Sequence, residues 1–274
     1  MFIGVPDTLT VDNSGSYILS IRLRSGGLSF SGYDPTARGS LFYREVEFDR
    51  SLSYISSLKD FFFANEFLSW SYKRIYIISL SGNYTIVPNA FVVEGEEMRL
   101  LDFCSPVVGK HTLVDNFGDD AKLIYAIDEE VYEFCSRSLA GPLFSHHISS
   151  LYRFLANFHP GVTSRRIYAV VDAASLDLIC LDKSGLMFAN SYPIGQLTDL
   201  LYYILYVWKE LAFDVERDEL HVLADASVRI WLFDSLAPYL RNIKPVEMPS
   251  EAFLLGSEAS KAPIDLISLF LCES

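Results

Sequence analysis

The sequence predicts a duplicated α/β protein, and three observations carry that expectation. Beginning at Arg166, RRIYAVVDAASLDLICLDKSGLMFANSYPIGQLTDLLYYILYVWKELAF and then ELHVLADASVRIWLFDSLAPYL read as three short strands joined by tight turns, a long helix, a strand and a second helix. The same opening occurs near the N-terminus, and its start at Tyr17 precedes Ile167 by about 150 residues, a domain-scale repeat rather than a solenoid period. The length of 274 residues suits two domains of ordinary size, large enough to bury a core without covalent staples.

Tyr17 to Arg24 alternates apolar and polar residues as a half-buried strand does, Ser25-Gly26-Gly27 is a turn signal, and Leu28 to Tyr33 and Leu41 to Phe48 are the next two strands. Leu52, Ile55, Ser56 and Lys59 lead into Phe61, Phe62 and Phe63 at helical spacing, to about Phe67. Arg74 to Leu80 is apolar and β-branched, a buried strand, and Ser81-Gly82-Asn83 turns the chain into Tyr84 to Pro88. A different unit comes next: strand Ala121 to Asp128, helix Glu129 to Ser138 opened by acidic residues that suit the helix dipole, short strand Leu143 to His146, and helix Ile148 to Phe158, closed by His159-Pro160-Gly161.

In the second repeat, strands are expected at Arg166 to Asp172, Leu176 to Leu181 and Leu186 to Asn190, with a long helix from Gln196 to Phe213. Leu220 to Ala224, a helix from Val228 to Leu240 and Ile243 to Val246 complete it; Ser250 to Ala262 reads as a surface loop and Pro263 to Cys272 as an amphipathic helix. The expected organisation is a first lobe over 1–110, a βαβα segment over 111–162 inserted in or linking the lobes, and a second lobe over 163–274.

Half the residues are hydrophobic and 14% aromatic, so the chain folds rather than remaining disordered. A formal charge of −13 argues against nucleic acid and anionic membrane as partners, since both need a basic footprint. Cys104, Cys135, Cys180 and Cys272 are widely spread without a CxxC, and apolar neighbours give each the reading of a buried free thiol in a reducing cytosol. No signal peptide is evident at the N-terminus, and the longest apolar run, Leu200 to Trp208, falls far short of the ~20 residues of a membrane span. A soluble cytoplasmic protein is expected.

Strand meander, helix, strand, helix, strand, taken twice, resembles the actin-like ATPase superfamily. Within it AKLIYAIDEEVYEF, ISSLYRFL, VVDAASLDL and Gly195-Gln196-Leu197-Thr198 are similar in order and type to elements of the PilM group of pilus-assembly actin-like proteins. The aromatic helix carrying Asp199-Leu200-Leu201-Tyr202-Tyr203 resembles a Bacteroidetes family of unknown function with an actin-like fold. The resemblance implies duplicated, ribonuclease H-like domains, each a mixed five-stranded sheet with flanking helices. It also implies where a nucleotide cleft lies: each first turn offers backbone N–H groups to phosphates, an Asp at a strand end holds the hydrated magnesium ion, and a Gly-Gly turn receives adenine.

Those turns depart from the pattern. At Ser25, Gly26 and Gly27 the glycines remain, but no acidic residue precedes them, and a hairpin turn needs glycine in any case. Asp172 and Ser175 stand in the second turn, with Ala174 at the glycine position; Asp172 alone orients a metal or merely bonds its own turn. In the adenine turn Asp225 and Ala226 replace glycines, and Asp225 reads as the N-cap of the following helix. The six residues form a vestigial cleft, no catalytic residue and no metal ligand is assigned, and no cofactor is expected, with ATP and magnesium kept open as the alternative. His146 and His147 are adjacent and expected to point apart, while His111, His159 and His221 lack ligand spacing. The acidic runs Glu94-Gly95-Glu96-Glu97 and Asp128-Glu129-Glu130 read as solvated faces and helix starts.

The resemblance implies two functions: a non-catalytic scaffold or adaptor that binds another protein, and, as the alternative, an ATP-binding switch with weak or no hydrolysis. A sugar or carboxylate kinase ranks third, because the first turn has no acid. The helix Leu200 to Trp208 either packs between sheet and neighbour or presents tyrosines to a partner or a second copy, so a homodimer stays open.

Overall fold

The alternation of YILSIRLR and a two-residue Ser25-Gly26 turn produce a hairpin of β1 (Ile18–Arg24) and β2 (Gly27–Tyr33), in register from Ile18–Tyr33 to Arg24–Gly27. The structure is a computed structural model and describes residues 3–158, 164–172 and 174–272. The chain continues through β3 (Phe42–Glu47), α1 (Tyr54–Ala64), β4 (Arg74–Ser79), β5 (Tyr84–Pro88), α2 (Glu97–Cys104), β6 (Lys110–Phe117), β7 (Ala121–Asp128), α3 (Glu129–Ser138), β8 (Leu143–His146) and α4 (His147–Phe158). The second half contains β9 (Arg166–Asp172), β10 (Ser175–Asp182), β11 (Gly185–Pro193), α5 (Leu197–Glu210), β12 (Glu219–Leu223), α6 (Ala226–Leu236) and β13 (Ile243–Pro245), and α7 (Ile264–Cys272) closes the chain.

These elements build two five-stranded sheets of identical order, β3-β2-β1-β4-β8 and β11-β10-β9-β12-β13, and a three-stranded sheet β5-β7-β6. In each large sheet the first hairpin is antiparallel and the crossover strand returns parallel, β4 beside β1 and β12 beside β9. The chain divides into two units, Met1–Phe154 with Pro249–Ser274, and Leu155–Met248. β8 completes the first large sheet by pairing with β4, while β7 belongs to the small sheet.

Within the first unit, β1 and β2 are buried on both faces. One face carries Leu19, Ile21, Leu28 and Phe30; the Phe30 ring lies 6.1 Å from Phe61 of α1 and 5.1 Å from Phe67. Gly32 is glycine because the Phe42 ring lies over it: a Cβ there would stand 2.3 Å from that ring. In the second unit Leu176, Leu178 and Cys180 of β10 pack with Leu200, Ile204, Val207 and Trp208 of α5 and Leu232 and Leu236 of α6.

Three expectations are corrected. Residues 250–262 do not form a plain surface loop: two 3-10 turns bury Ala252 and Leu255 and bond along the outer side of the first sheet, Leu41 N–H donating to Leu255 O at 3.1 Å. Residues 264–270 are not amphipathic in effect, since every one is buried. The polar residues that gave the amphipathic pattern point inward, where Arg22 Nε donates to Asp265 Oδ2 at 2.8 Å with both side chains at most 6% exposed. Cys104 is exposed at the end of α2, unlike buried Cys135 and Cys180, because its helix contributes only Leu101 to the core; the Cys272 side chain is outside what the structure describes. The sequence pattern also missed α2 and β6, whose polar residues dilute the apolar periodicity.

Candidate functional site

At the C-terminal ends of β1 and β4, where the sheet meets the starts of α1 and α3, the first unit opens a cavity of about 540 Å³. Arg24, Ser25, Ser81, Lys110, Asp128 and Glu130 are among its lining residues, so both signs of charge face it. Both helices that begin here have first-turn amides already bonded. Ser53 Oγ accepts from Ser56 N at 3.3 Å, and Asp128 Oδ1 accepts from Glu130 N at 3.0 Å and Val131 N at 3.2 Å. An anion arriving at α3 meets the Asp128 carboxylate instead of open donors.

The turn expected to cradle phosphate lies at this cavity through Ser25, but its two glycines differ. A Cβ on Gly27 would lie 2.0 Å from the Val46 carbonyl oxygen, so the close pairing of β2 and β3 explains that glycine. Gly26 has no positive φ, and a Cβ there would meet only Glu47 Oε2 at 3.7 Å. The expectation that the turn itself needs glycine therefore does not hold at Gly26, because neither Ser25 nor Gly26 adopts the left-handed conformation. Arg24, where the superfamily pattern has an acid, donates to Glu47 Oε1 at 2.5 Å and to Val46 O at 3.3 Å.

Beneath the cavity, the Ser79-to-Asn83 turn is fixed by two histidines that sequence reasoning set aside. Ile148 N donates to His146 Nδ1 at 3.3 Å, which leaves Nε2 to donate to Ser81 O at 2.8 Å; His147 Nδ1 bonds Ser79 O at 3.2 Å. The rings do not point apart, as adjacency in one element suggested. The junction of β8 and α4 falls between them and brings their centroids to 4.6 Å. Burial, reinforced by His147, pushes the His146 imidazole well below its usual 6.5. Beside them Asp115 accepts from His146 N at 2.7 Å and Ser145 Oγ at 2.9 Å; burial raises its carboxyl above the usual range against those bonds. Spacing gave no signal for this network. The signal available was a His-His pair at a strand-to-helix junction, where ring nitrogens satisfy backbone carbonyls.

In the second unit Asp172 and Ser175 are direct partners across the β9–β10 turn. Ala174 is exposed at the glycine position, and Ala173 lies outside the described residues. Asp225 occupies the N-cap of α6 as expected, yet its side chain makes no capping bond. Because Leu223 is in register with Val170, Asp172 and Asp225 stand at the same level along β9 and the chain leaving β12. The structure thus places Ser25, Gly26 and Gly27 in one unit and Asp172, Ser175 and Asp225 in the other. Among the described residues no group of three or more His, Cys, Asp or Glu is placed to hold a metal ion, and no helix is long and apolar enough to cross a membrane.

Residues 6–243 match the family described as "Protein of unknown function (DUF3822)". The chain belongs to the DUF3822 family. It is also similar to a crystal structure from Bacteroides thetaiotaomicron, described as a protein with actin-like ATPase fold and unknown function: 30% identity, 98% of this chain and 100% of that chain covered, TM-score 0.82. A PilM-PilN type IV pilus biogenesis complex is similar at 14% identity, over 93% of this chain and 97% of that one, with TM-score 0.53. No curated protein matches. The DUF3822 chain has the actin-like ATPase fold, and the resemblance read from its strands and helices is correct at family and fold level.

ATP with magnesium is the group this fold family implies. The residues described do not fit a magnesium triphosphate held for hydrolysis: no carboxylate ends β1, the first amides of α3 are bonded to Asp128, and Arg24 is bonded to Glu47.

Proposed function

We propose that this DUF3822 protein is a non-catalytic, cytoplasmic actin-like scaffold that holds another protein. The observation that carries the reading is an apolar surface around α2 in the first unit. Phe91, Val93, Met98, Phe103 and Val108 are all more than half exposed, Phe103 and Val108 at 92% each. Met98 and Val108 line one shallow groove of about 660 Å³. Exposed apolar side chains that lie together mark interaction sites, and this groove brings Met98 and Val108 together. The altered turns support the reading, as does the appearance of a fold neighbour, PilM, in a complex with PilN.

A second reading, a weakly binding ATP switch, rests on the cavity beside Ser25 with Arg24 and Lys110 in its lining. A thermal melt with millimolar Mg-ATP separates the two. Ligand at 100 times its Kd stabilises by about 2.7 kcal/mol, a rise of roughly 5 °C or more in a protein of this size. The scaffold reading expects no such shift. It also expects a protein retained from extracts of the source cells at fixed stoichiometry by the wild type and lost with Phe103→Asp/Val108→Asp. A nucleotide shift abolished by Asp172→Ala, or identical retention by that double variant, overturns it.

A further inference from the structure

We propose that the outer edge of β11 is a self-association site, at which a second copy of this chain adds its own β11 antiparallel about a two-fold axis. The inference is independent of the α2 surface and does not rest on the scaffold reading.

The two large sheets have four edges, and three are protected. β8 is four residues long, and β13 only three. β3 is covered by the chain's own return segment: Gly39 N–H donates to Leu254 O at 3.0 Å, Leu41 N–H to Leu255 O at 3.1 Å, and Tyr43 N–H to Glu258 Oε2 at 2.9 Å. β11 is the counterpart of β3 in the repeat, yet it lies last in its sheet and no described strand pairs beyond it. It runs for nine residues, GLMFANSYP, without one charged side chain. Proteins blunt such edges with shortness, charge, proline or cover, and a long uncharged edge is a template for another strand.

The direction of its backbone groups follows from the register. Ile194 N–H donates to Ala174 O, so the N–H groups of Tyr192 and Asn190 also face β10 and that of Ala189 faces away. A register shift between Cys180 and Leu181 perturbs only the earlier part, and Phe188 to Pro193 pairs regularly.

The flank of the edge is aromatic and neutral. Tyr203 of α5 stacks on Tyr192 of β11 with ring centroids 4.3 Å apart, and beside it Tyr202 and Tyr206, 63% and 48% exposed, stack on one another. Tyrosines of this kind supply contact area with little entropy to lose. Charge selects the occupant. A chain of formal charge −13 repels its own copy over most of its surface, and β11 with its tyrosine flank is a stretch where that repulsion is absent. Antiparallel β11 to β11 pairing also places the same strand and the same tyrosines on both sides, the self-complementarity that a two-fold contact requires.

Sedimentation velocity of the full chain from low to high micromolar concentration tests the proposal, with hydrogen exchange at both ends of the range. The expected result is a species of twice the 31.0 kDa chain mass at high concentration, with the Ala189 amide protected only there. Ala189→Pro removes one outward donor, and Tyr202→Lys/Tyr206→Lys places like charges across the axis. Each raises the dimer dissociation constant at least about tenfold, roughly 1.4 kcal/mol. Where Ala189→Pro does not fold, the tyrosine variant and Ala189 exchange decide. A monomer at every concentration, a dimer indifferent to these variants, or Ala189 exchange independent of concentration overturns the proposal.

Discussion

Gly26 and Gly27 are neighbours in the turn expected to cradle phosphate, and alanine at the two positions has effects of opposite sign. At Gly27 the new Cβ would stand 2.0 Å from Val46 O and 3.1 Å from Glu47 Cα. Ordinary contact begins more than an ångström further out, so β2 and β3 must separate across the Gly27–Glu47 end of the ladder. Overpacking of this kind costs about 1–3 kcal/mol, and the atom met is backbone that no rotamer change can move. For a unit of this size that is a fall in Tm of roughly 2–12 °C at 2–4 °C per kcal/mol. At Gly26 the Cβ meets only Glu47 Oε2 at 3.7 Å and the backbone has no positive φ. Gly26→Ala therefore stabilises by about 0.4–1 kcal/mol, through lost freedom of the unfolded chain. Calorimetric melts of the two single variants read the difference directly. Equal destabilisation by both, or a neutral Gly27→Ala, would refute the assignment of Gly27 to strand packing.

Buried groups carry the other predictions. Arg22→Met leaves Asp265 buried without the Arg22 guanidinium, at a cost of about 3–5 kcal/mol; in urea melts Arg22→Met/Asp265→Leu recovers most of it, and equal loss in both variants would sink the argument. The His146 imidazole is held below 6.5 in the fold, so the unfolded chain takes up a proton first as pH falls. That contribution to stability is complete above pH about 6.5 and declines below it by up to about 1.4 kcal/mol per pH unit until the folded value is reached. The stability gap between wild type and His146→Gln should narrow across that range, and a constant gap contradicts the network. Burial pushes the Cys135 and Cys180 thiols up to about 12 while Cys104 is exposed. In a Cys272→Ser background one equivalent of a thiol reagent should react with the native protein and two more only on unfolding.

The large sheets were legible because their strands are short, apolar and separated by small-residue turns, as in Tyr17 to Tyr33 and Arg166 to Leu181. Helix starts were equally plain: the acidic run at Asp128 and Glu129 opens α3, and Gly195-Gln196-Leu197-Thr198 opens α5, where Asp199 Oδ2 accepts from Gln196 N at 3.0 Å. β6 escaped because Lys110, His111, Asp115 and Asn116 break its alternation, and Asp115 turns inward to serve His146 rather than outward to solvent. The return of 249–272 escaped for another reason. Local pattern reports that a segment is apolar and helical but not which sheet it covers, and Asp265 looked like a solvent face until Arg22 answered it. At the candidate site Ser25 lines a cavity, but sequence reasoning had no means to find the histidines beneath it, since their bonds go to carbonyls that every residue possesses.

The division of the first unit into residues 1–154 and 249–274 has a consequence during synthesis. A domain made of one unbroken stretch can finish folding while the ribosome is still translating the remainder of the chain. Here the second unit, 155–248, is continuous and can do so. The first unit must wait: β1 stays without the helix that bonds Arg22, and β3 without its covering segment, until residues 249–272 have been translated. A nascent chain halted before residue 249 should therefore carry a closed second unit and an unfinished first one. The order of completion is the reverse of the order of translation.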